Sequence, residues 1–182
     1  PLVMTFKNLF GYGNSRENVV TFSRGATCIV AGNAAGKTSI GNILTFGLFG
    51  RTSLGPASRA APFDIVNHDE TQGYVTLLIK YGEKFYLIER RSGKMTKTTS
   101  NQFKNLNRYD FTCEIWESNI KSEKFAQCKE SLLQEIVGDI DTFSMLNILN
   151  KESSMDILSL SGVEQLTHLK RIFKLEVFDK YK

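Results

Sequence analysis

The chain has 182 residues and a mass of 20.5 kDa, enough for one hydrophobic core and too little for two full-size ones. Hydrophobic residues make up 41%, charged residues 23%, and there are 3 prolines, a globular balance that excludes wholesale disorder and collagen-like repeats. The formal charge of +4, from 23 basic and 19 acidic side chains, is too mild to require a nucleic-acid partner by itself.

Leu2 to Tyr12 reads as an extended segment with apolar alternation, closed by Gly11 and Gly13. Asn18 to Phe22 reads as a short second strand. After Gly25, the apolar run Ala26 to Val30 has the composition of a buried strand. Gly32 to Gly36 carries small residues with little preference for either regular structure. From Lys37 to Phe49, Ile40, Ile43, Leu44, Gly47 and Leu48 recur at helical spacing, and Gly50 supplies a stop. Arg51 to Pro62, rich in Ser, Ala, Gly and Pro, reads as a loop.

Tyr74 to Tyr81 and Lys84 to Arg91 are β-rich runs joined by Gly82 and Glu83, which predicts a hairpin. Ser92 to Asn107 is polar and irregular, and Tyr109 to Trp116 resumes strand character. Ser131 to Val137 reads as a short helix. Gly162 to Phe173 reads as a longer one, with Val163, Leu166, Leu169, Ile172 and Phe173 as its apolar stripe. The chain is thus a mixed α/β lobe with several antiparallel strands. No stretch of about 18 apolar residues occurs, so no transmembrane helix is expected. The polar residues that follow PLVMTFKNLF argue against a signal peptide.

Cys28, Cys113 and Cys128 fit neither a disulfide framework nor a zinc-site spacing. With His68 and His168 as the only histidines, the default is a reduced intracellular protein without a Cys/His metal centre. The charge is unevenly spread. Between Arg90 and Tyr109 stand Arg90, Arg91, Lys94, Lys97, Lys104 and Arg108, with no acidic residue. This run could track DNA phosphates, with Phe103 and Tyr109 available to stack on bases. A solvated loop whose charges keep it soluble is the other reading, and the one the sequence favours. Arg51 and Arg59 are open to the same two readings. Trp116 and the many Phe residues are expected in the core, and Asp139 and Asp141 as turn and helix-cap residues.

The stretch with chemical content is Ala31-Gly32-Asn33-Ala34-Ala35-Gly36-Lys37-Thr38-Ser39. Following an apolar run and opening a helix, it has the context of a Walker A phosphate loop. Backbone N–H groups that curl around a phosphate require small side chains, and a helix N-terminus adds roughly half a positive charge. Lys37 is placed to bridge β- and γ-phosphates, and the Thr38 hydroxyl to ligate Mg²⁺. Ala31 stands where the pattern GxxxxGK[ST] has its first Gly. Ala34 occupies another position where Gly is frequent, and its methyl group is tolerable there only at negative φ. The bland alternative is a chance GKT at a helix start.

Taken in order along the chain, these segments resemble the N-terminal half of an SMC-type ATP-binding-cassette head. The branch they are most similar to is the SbcC-like DNA double-strand-break repair ATPases, including phage recombination-endonuclease subunits. FKNLFGYG (Phe6 to Gly13) resembles the first strand and turn of that family, and GATCIVAGNAAGKTSIGNILTFGLFGR its strand, phosphate loop and first helix. Phe63 to Asn67 resembles the segment near the nucleotide base, Gly138 to Phe143 the approach to the Q-loop, and Leu160 to Phe178 the helix beyond it.

The resemblance implies a P-loop NTPase fold of ABC-head type, its N-terminal half, with a mixed sheet, an antiparallel β-subdomain and flanking helices. Residues 1–182 would be that lobe, and Lys174 to Lys182 the root of a coiled coil. It implies ATP and Mg²⁺ as cofactors, held around Gly32, Asn33, Ala34, Ala35, Gly36, Lys37, Thr38 and Ser39, with Lys37 catalytic and Thr38 on the metal. Asn8, Val66 and His68 fall near positions that contact the base or phosphates. Implied partners are a C-terminal lobe, a second head in an ATP-sandwiched dimer, an SbcD-like metallophosphoesterase nuclease and DNA, with no membrane. The implied location is cytoplasmic: the host's if the source is a phage, or nuclear if it is eukaryotic.

Two departures stand out. The Q-loop Gln is expected near Ser153, in Lys151-Glu152-Ser153-Ser154, and no Gln is there. No run of four apolar residues followed by Asp-Glu occurs, so the sequence has no Walker B segment and no obvious catalytic Glu; Glu152 or Ser153 could still reach Mg²⁺ directly or through water. Leu160-Ser161-Gly162-Val163-Glu164 superficially resembles an ABC signature, and its position argues against that role. Two other functions compete: a chromosome-organising SMC protein without a nuclease partner, and a self-contained small P-loop kinase or GTPase.

Overall fold

A computed structural model of the chain describes residues 2–13, 15–52, 65–94, 109–119, 126–127, 129, 131–148 and 161–172. The chain divides into two units, Pro1–Ile136 and Val137–Lys182. The first is built on a six-stranded sheet: β1 (Leu2–Lys7), β2 (Asn18–Phe22), β3 (Gln72–Tyr81), β4 (Lys84–Lys94), β5 (Tyr109–Asn119) and β6 (Ala126–Gln127). The spatial order is β2-β1-β3-β4-β5-β6, and every pairing is antiparallel. The mixed sheet expected from the sequence is therefore, among the described residues, an antiparallel one. The β3–β4 hairpin turns at Gly82 and Glu83 as expected. Gly82 takes φ +59° at the first loop position, the glycine signature of a type II′ turn.

Register sorts the side chains. Met4 faces Leu77, Phe6 faces Val75, Leu77 faces Ile88 and Val75 faces Arg90. Alternation puts all of them on one side of the sheet, and each is at most 1% exposed. Against β3 and β4 lies α1 (Lys37–Phe49), whose bounds match the sequence reading. It buries every residue from Asn42 to Leu48. Each of its large apolar side chains removed from water stabilises the fold by about 1.5–3 kcal/mol. Gly47 makes the close approach possible, because a Cβ there would lie 2.8 Å from Leu77 Cδ1. Gly50, at φ +71°, ends the helix by donating its N–H to the Phe46 carbonyl at 2.8 Å.

Arg90 corrects the reading of the basic run. It is 1% exposed on β4, so it neither tracks a DNA backbone nor belongs to a solvated loop. Its position two residues from Ile88 on the covered face turns it inward, and the end of α1 presents carbonyls that need donors. Nε donates to the Gly47 carbonyl at 2.8 Å and Nη2 to that of Leu48 at 3.0 Å. Arg91, one residue on, points to the opposite face. It pairs with Glu89 at 2.5 Å and lies over the Tyr74 ring at 5.8 Å. The Tyr74 hydroxyl in turn donates to Glu17. Lys97, Phe103, Lys104 and Arg108 lie outside the described residues.

A second correction concerns Ala26 to Val30. The run forms no strand and is mostly exposed, with Val30 87% accessible. An apolar run becomes a buried strand only when neighbours pair with it, and none of the six described strands does. Gly25 at φ +83° turns the chain away from β2, and the Ser23 N–H donates to the Thr27 hydroxyl at 3.3 Å across that turn.

α2 (Ser131–Val137) forms as expected, with Leu133 buried; all but its last residue belongs to the first unit. The second holds α3 (Ile140–Asn147) and α4 (Gly162–Ile172). α3 was not expected as a helix, although its cap was: the Asp139 carboxylate accepts from the N–H groups of Asp141 and Thr142 at 3.1 and 2.9 Å. α4 matches the sequence reading to within a residue. Its apolar stripe is open, with Val163 77%, Leu166 55% and Leu169 43% exposed. Among the described residues no helix is long and apolar enough to cross a membrane.

Candidate functional site

The site forms where residues 31–36 run into α1. Ala34 has φ +58° and Gly36 φ +83°, so two left-handed residues fall within three positions. Gly36 in αL followed by helical Lys37 is the backbone alternation that turns successive N–H groups into one concavity. For Ala34 the sequence condition of negative φ is not met. A left-handed alanine costs roughly 1–2 kcal/mol, and the loop carries that strain. The Ala35 N–H closes the turn on the Gly32 carbonyl at 3.4 Å.

Gly36 is also the N-cap of α1. It supplies no side-chain acceptor, and no acidic residue stands in the first turn. The opening N–H groups of the helix therefore lack the side-chain oxygen that usually satisfies them. An anion is the natural complement at such an end. Lys37 reaches back over the loop. Its ammonium donates to the Ala31 carbonyl at 2.9 Å and to the Gly32 carbonyl at 2.5 Å, two of the three donors an ammonium carries. Asn33 and Thr38 are exposed, and Ser39 is half-buried. These residues fit a polyphosphate: small side chains along the bend, amides at a helix start, one fixed cation and an accessible hydroxyl. If Mg²⁺ enters with the phosphates, the accessible Thr38 hydroxyl would be one of its ligands; no cluster of His, Cys, Asp or Glu suited to a metal occurs among the described residues.

A second group of residues borders this loop through Tyr12. The Tyr12 hydroxyl donates to the Gly36 carbonyl at 3.4 Å, and its ring stands edge-on to Phe6 with centroids 5.0 Å apart. Burial pushes its phenol pKa up. Sequence reasoning missed Tyr12. The signal was an aromatic residue set between Gly11 and Gly13, in a turn with no core role for it. The turn itself is tightly made. Asn8 and Phe10 are left-handed, at φ +58° and +50°. Leu9 bridges both Tyr12 and Val66. The Phe10 N–H donates to Ile65, the Asn67 N–H to Asn8, and the Asn67 side-chain amide to Phe10, at 2.6, 3.0 and 2.7 Å.

The remaining sequence candidates sit on this knot. The Asn8 amide nitrogen donates to Gln72 at 3.0 Å, while its Oδ1 is buried with no hydrogen-bond partner. Val66 is 3% exposed, so its side chain belongs to the core. His68 is exposed. Gly73 lets the knot close on β3, since a Cβ there would lie 2.5 Å from the Asn8 carbonyl oxygen. Lys151 to Ser154, the expected Q-loop, lies outside the described residues.

No curated protein matches the sequence. A family model described as an AAA domain, AAA_23, matches residues 4–180, nearly the whole chain, and brings the loop, α1 and the sheet within one known unit. With a phosphate-shaped loop at the head of a helix and that match across it, the chain belongs to this AAA-domain family of P-loop ATPases.

Proposed function

We propose that the chain binds ATP with Mg²⁺ through residues 32–39 and forms the N-terminal lobe of an SMC/SbcC-like DNA-repair or recombination ATPase. In this reading ATP ties two heads together, hydrolysis releases them, and the motion gates DNA for a partner nuclease. The observation that carries the nucleotide part is the pair of left-handed residues, Ala34 and Gly36, leading into a helix start without a side-chain cap.

Phosphoryl transfer is mostly positioning and charge stabilisation. When bound, Mg²⁺ supplies charge neutralisation between the phosphates. The loop amides hold the β-phosphate, Lys37 turns its remaining donor to the phosphate oxygens, and Thr38 offers its hydroxyl to the metal. A base that activates water is not evident in this sequence, so the hydrolytic carboxylate is assigned to a C-terminal lobe. The open Val30 beside the loop supports that assignment, because a lobe supplying neighbouring strands would cover it.

Two other readings are separable by experiment. Co-purification with a metallophosphoesterase nuclease supports the repair ATPase, and a kleisin-type bridging subunit supports a chromosome-organising SMC protein. ATP turnover by the chain alone would favour a self-contained kinase or GTPase. Binding without turnover, measured by calorimetry and phosphate release, supports the half-head.

A further inference from the structure

We infer that Tyr12 is a positioning residue for the phosphate loop, holding Gly36 in the conformation from which the loop amides face a polyphosphate. The inference rests on the phosphate reading above and deepens it. The Tyr12 ring lies on the side of Gly36 where a side chain would project: a Cβ built there would meet the Tyr12 hydroxyl oxygen at 2.9 Å, Cζ at 3.2 Å and Cε2 at 3.3 Å. Tyr12 thus fills the space that glycine leaves. Its hydroxyl shares the Gly36 carbonyl with the Ile40 N–H, which donates to it at 3.2 Å. That carbonyl belongs to the peptide leading into Lys37, so fixing it fixes the first peptide of α1.

The tyrosine is itself held. Its ring packs edge-on to Phe6, which is 1% exposed in the core. Its N–H donates to Leu9 at 3.0 Å, and the neighbouring Phe10 is tied to Ile65 and Asn67. The ties from Lys37 and Ala35 are internal to the loop and its helix. Tyr12 instead joins the loop to the turn after β1 and the 65–67 segment. Positioning of this kind acts on the phosphates and not on the base.

The test uses Tyr12→Leu and Tyr12→Phe in the full chain, each titrated with inorganic pyrophosphate and with ATP, alongside thermal unfolding without ligand. Tyr12→Leu is expected to weaken both ligands by the same factor, about tenfold or more. Tyr12→Phe keeps the ring and loses one long hydrogen bond, so a loss of roughly two- to threefold is expected. A merely structural role would lower the unfolding temperature and leave the pyrophosphate affinity of the folded protein intact. Affinities unchanged in Tyr12→Leu, or lost for ATP but not for pyrophosphate, would overturn the inference. Should Tyr12→Leu fail to fold, Tyr12→Phe decides: a parallel loss for both ligands supports the inference, and wild-type affinity overturns it. A wild-type chain that binds neither ligand removes the phosphate reading and this inference together, whereas wild-type binding with unaffected variants removes this inference alone.

Discussion

Arg90 Nε and the Gly47 carbonyl, on β4 and near the end of α1, are joined by a 2.8 Å hydrogen bond inside the core. The guanidinium brings a positive charge to the negative end of the helix whose other end faces the phosphate loop. Replacing Arg90 by Met leaves the Gly47 and Leu48 carbonyls without these donors. A loss of about 2–4 kcal/mol is expected in urea unfolding. Arg90→Lys keeps the charge and loses the fork, and falls between the two. A stability change below about 0.5 kcal/mol in Arg90→Met would contradict the capping role.

The strain at Ala34 makes the opposite kind of prediction. Glycine adopts φ +58° without a Cβ penalty, so Ala34→Gly should stabilise the chain by about 0.5–1 kcal/mol, after allowing for the greater freedom of glycine in the unfolded state. Ala34→Val should destabilise it, since a branched side chain tolerates this region least. Denaturant midpoints of the three proteins check the order Gly, Ala, Val.

Two glycines distinguish a soft obstacle from a hard one. At Gly47 an added methyl meets the end of Leu77, a side chain that can shift; at Gly73 it meets the Asn8 backbone. Gly47→Ala should cost about 1–2 kcal/mol, overpacking outweighing the gain of roughly 1 kcal/mol in helix propensity. Part of that should return when Leu77→Ala is added, as a double-mutant cycle would reveal. Gly73→Ala should cost more, about 3 kcal/mol or more, with no comparable rescue.

A surface prediction concerns pH. The hydrogen bond to Glu17 pushes the Tyr74 phenol up to about 12, with burial and the Glu17 charge acting the same way. The folded state therefore favours the protonated phenol. Its contribution is fully present below pH 10 and is lost as pH rises through about 12. Tyr74 is half-buried and its partner Glu17 is exposed, so solvent screens the pair and the effect on stability is small. In tyrosinate absorbance titrations, Glu17→Gln should return one phenol toward its ordinary value. A titration curve identical to that of the wild type would refute the assignment.

What could be read from the sequence follows where local signals decide structure. α1 is legible because its start is a glycine-lysine pair and its end a glycine, and the β3–β4 hairpin because Gly82 sits between two alternating runs. Ala26 to Val30 misled because an apolar run states what a segment can bury, not what is there to bury it against. Charge groups Arg90 with its basic neighbours, whereas parity with Ile88 places it on the covered face. α3 is hard to read because eight residues give little more than two turns of periodicity. The residue type at position 34 poses the question of φ, but the angle itself belongs to the loop, which closes on Gly32 and leads into α1. Tyr12 lies 24 residues from Gly36, and no local pattern connects them.

The central claim is that the bend ending at Gly36 and Lys37 wraps a polyphosphate. Calorimetric titration of ATP with Mg²⁺ into the wild-type chain and into Lys37→Ala tests it most directly. The wild type should bind. Lys37→Ala should lose at least about tenfold in affinity, the weight of one charge-assisted contact, while unfolding at the same denaturant concentration. Equal affinity in the two proteins would contradict the account.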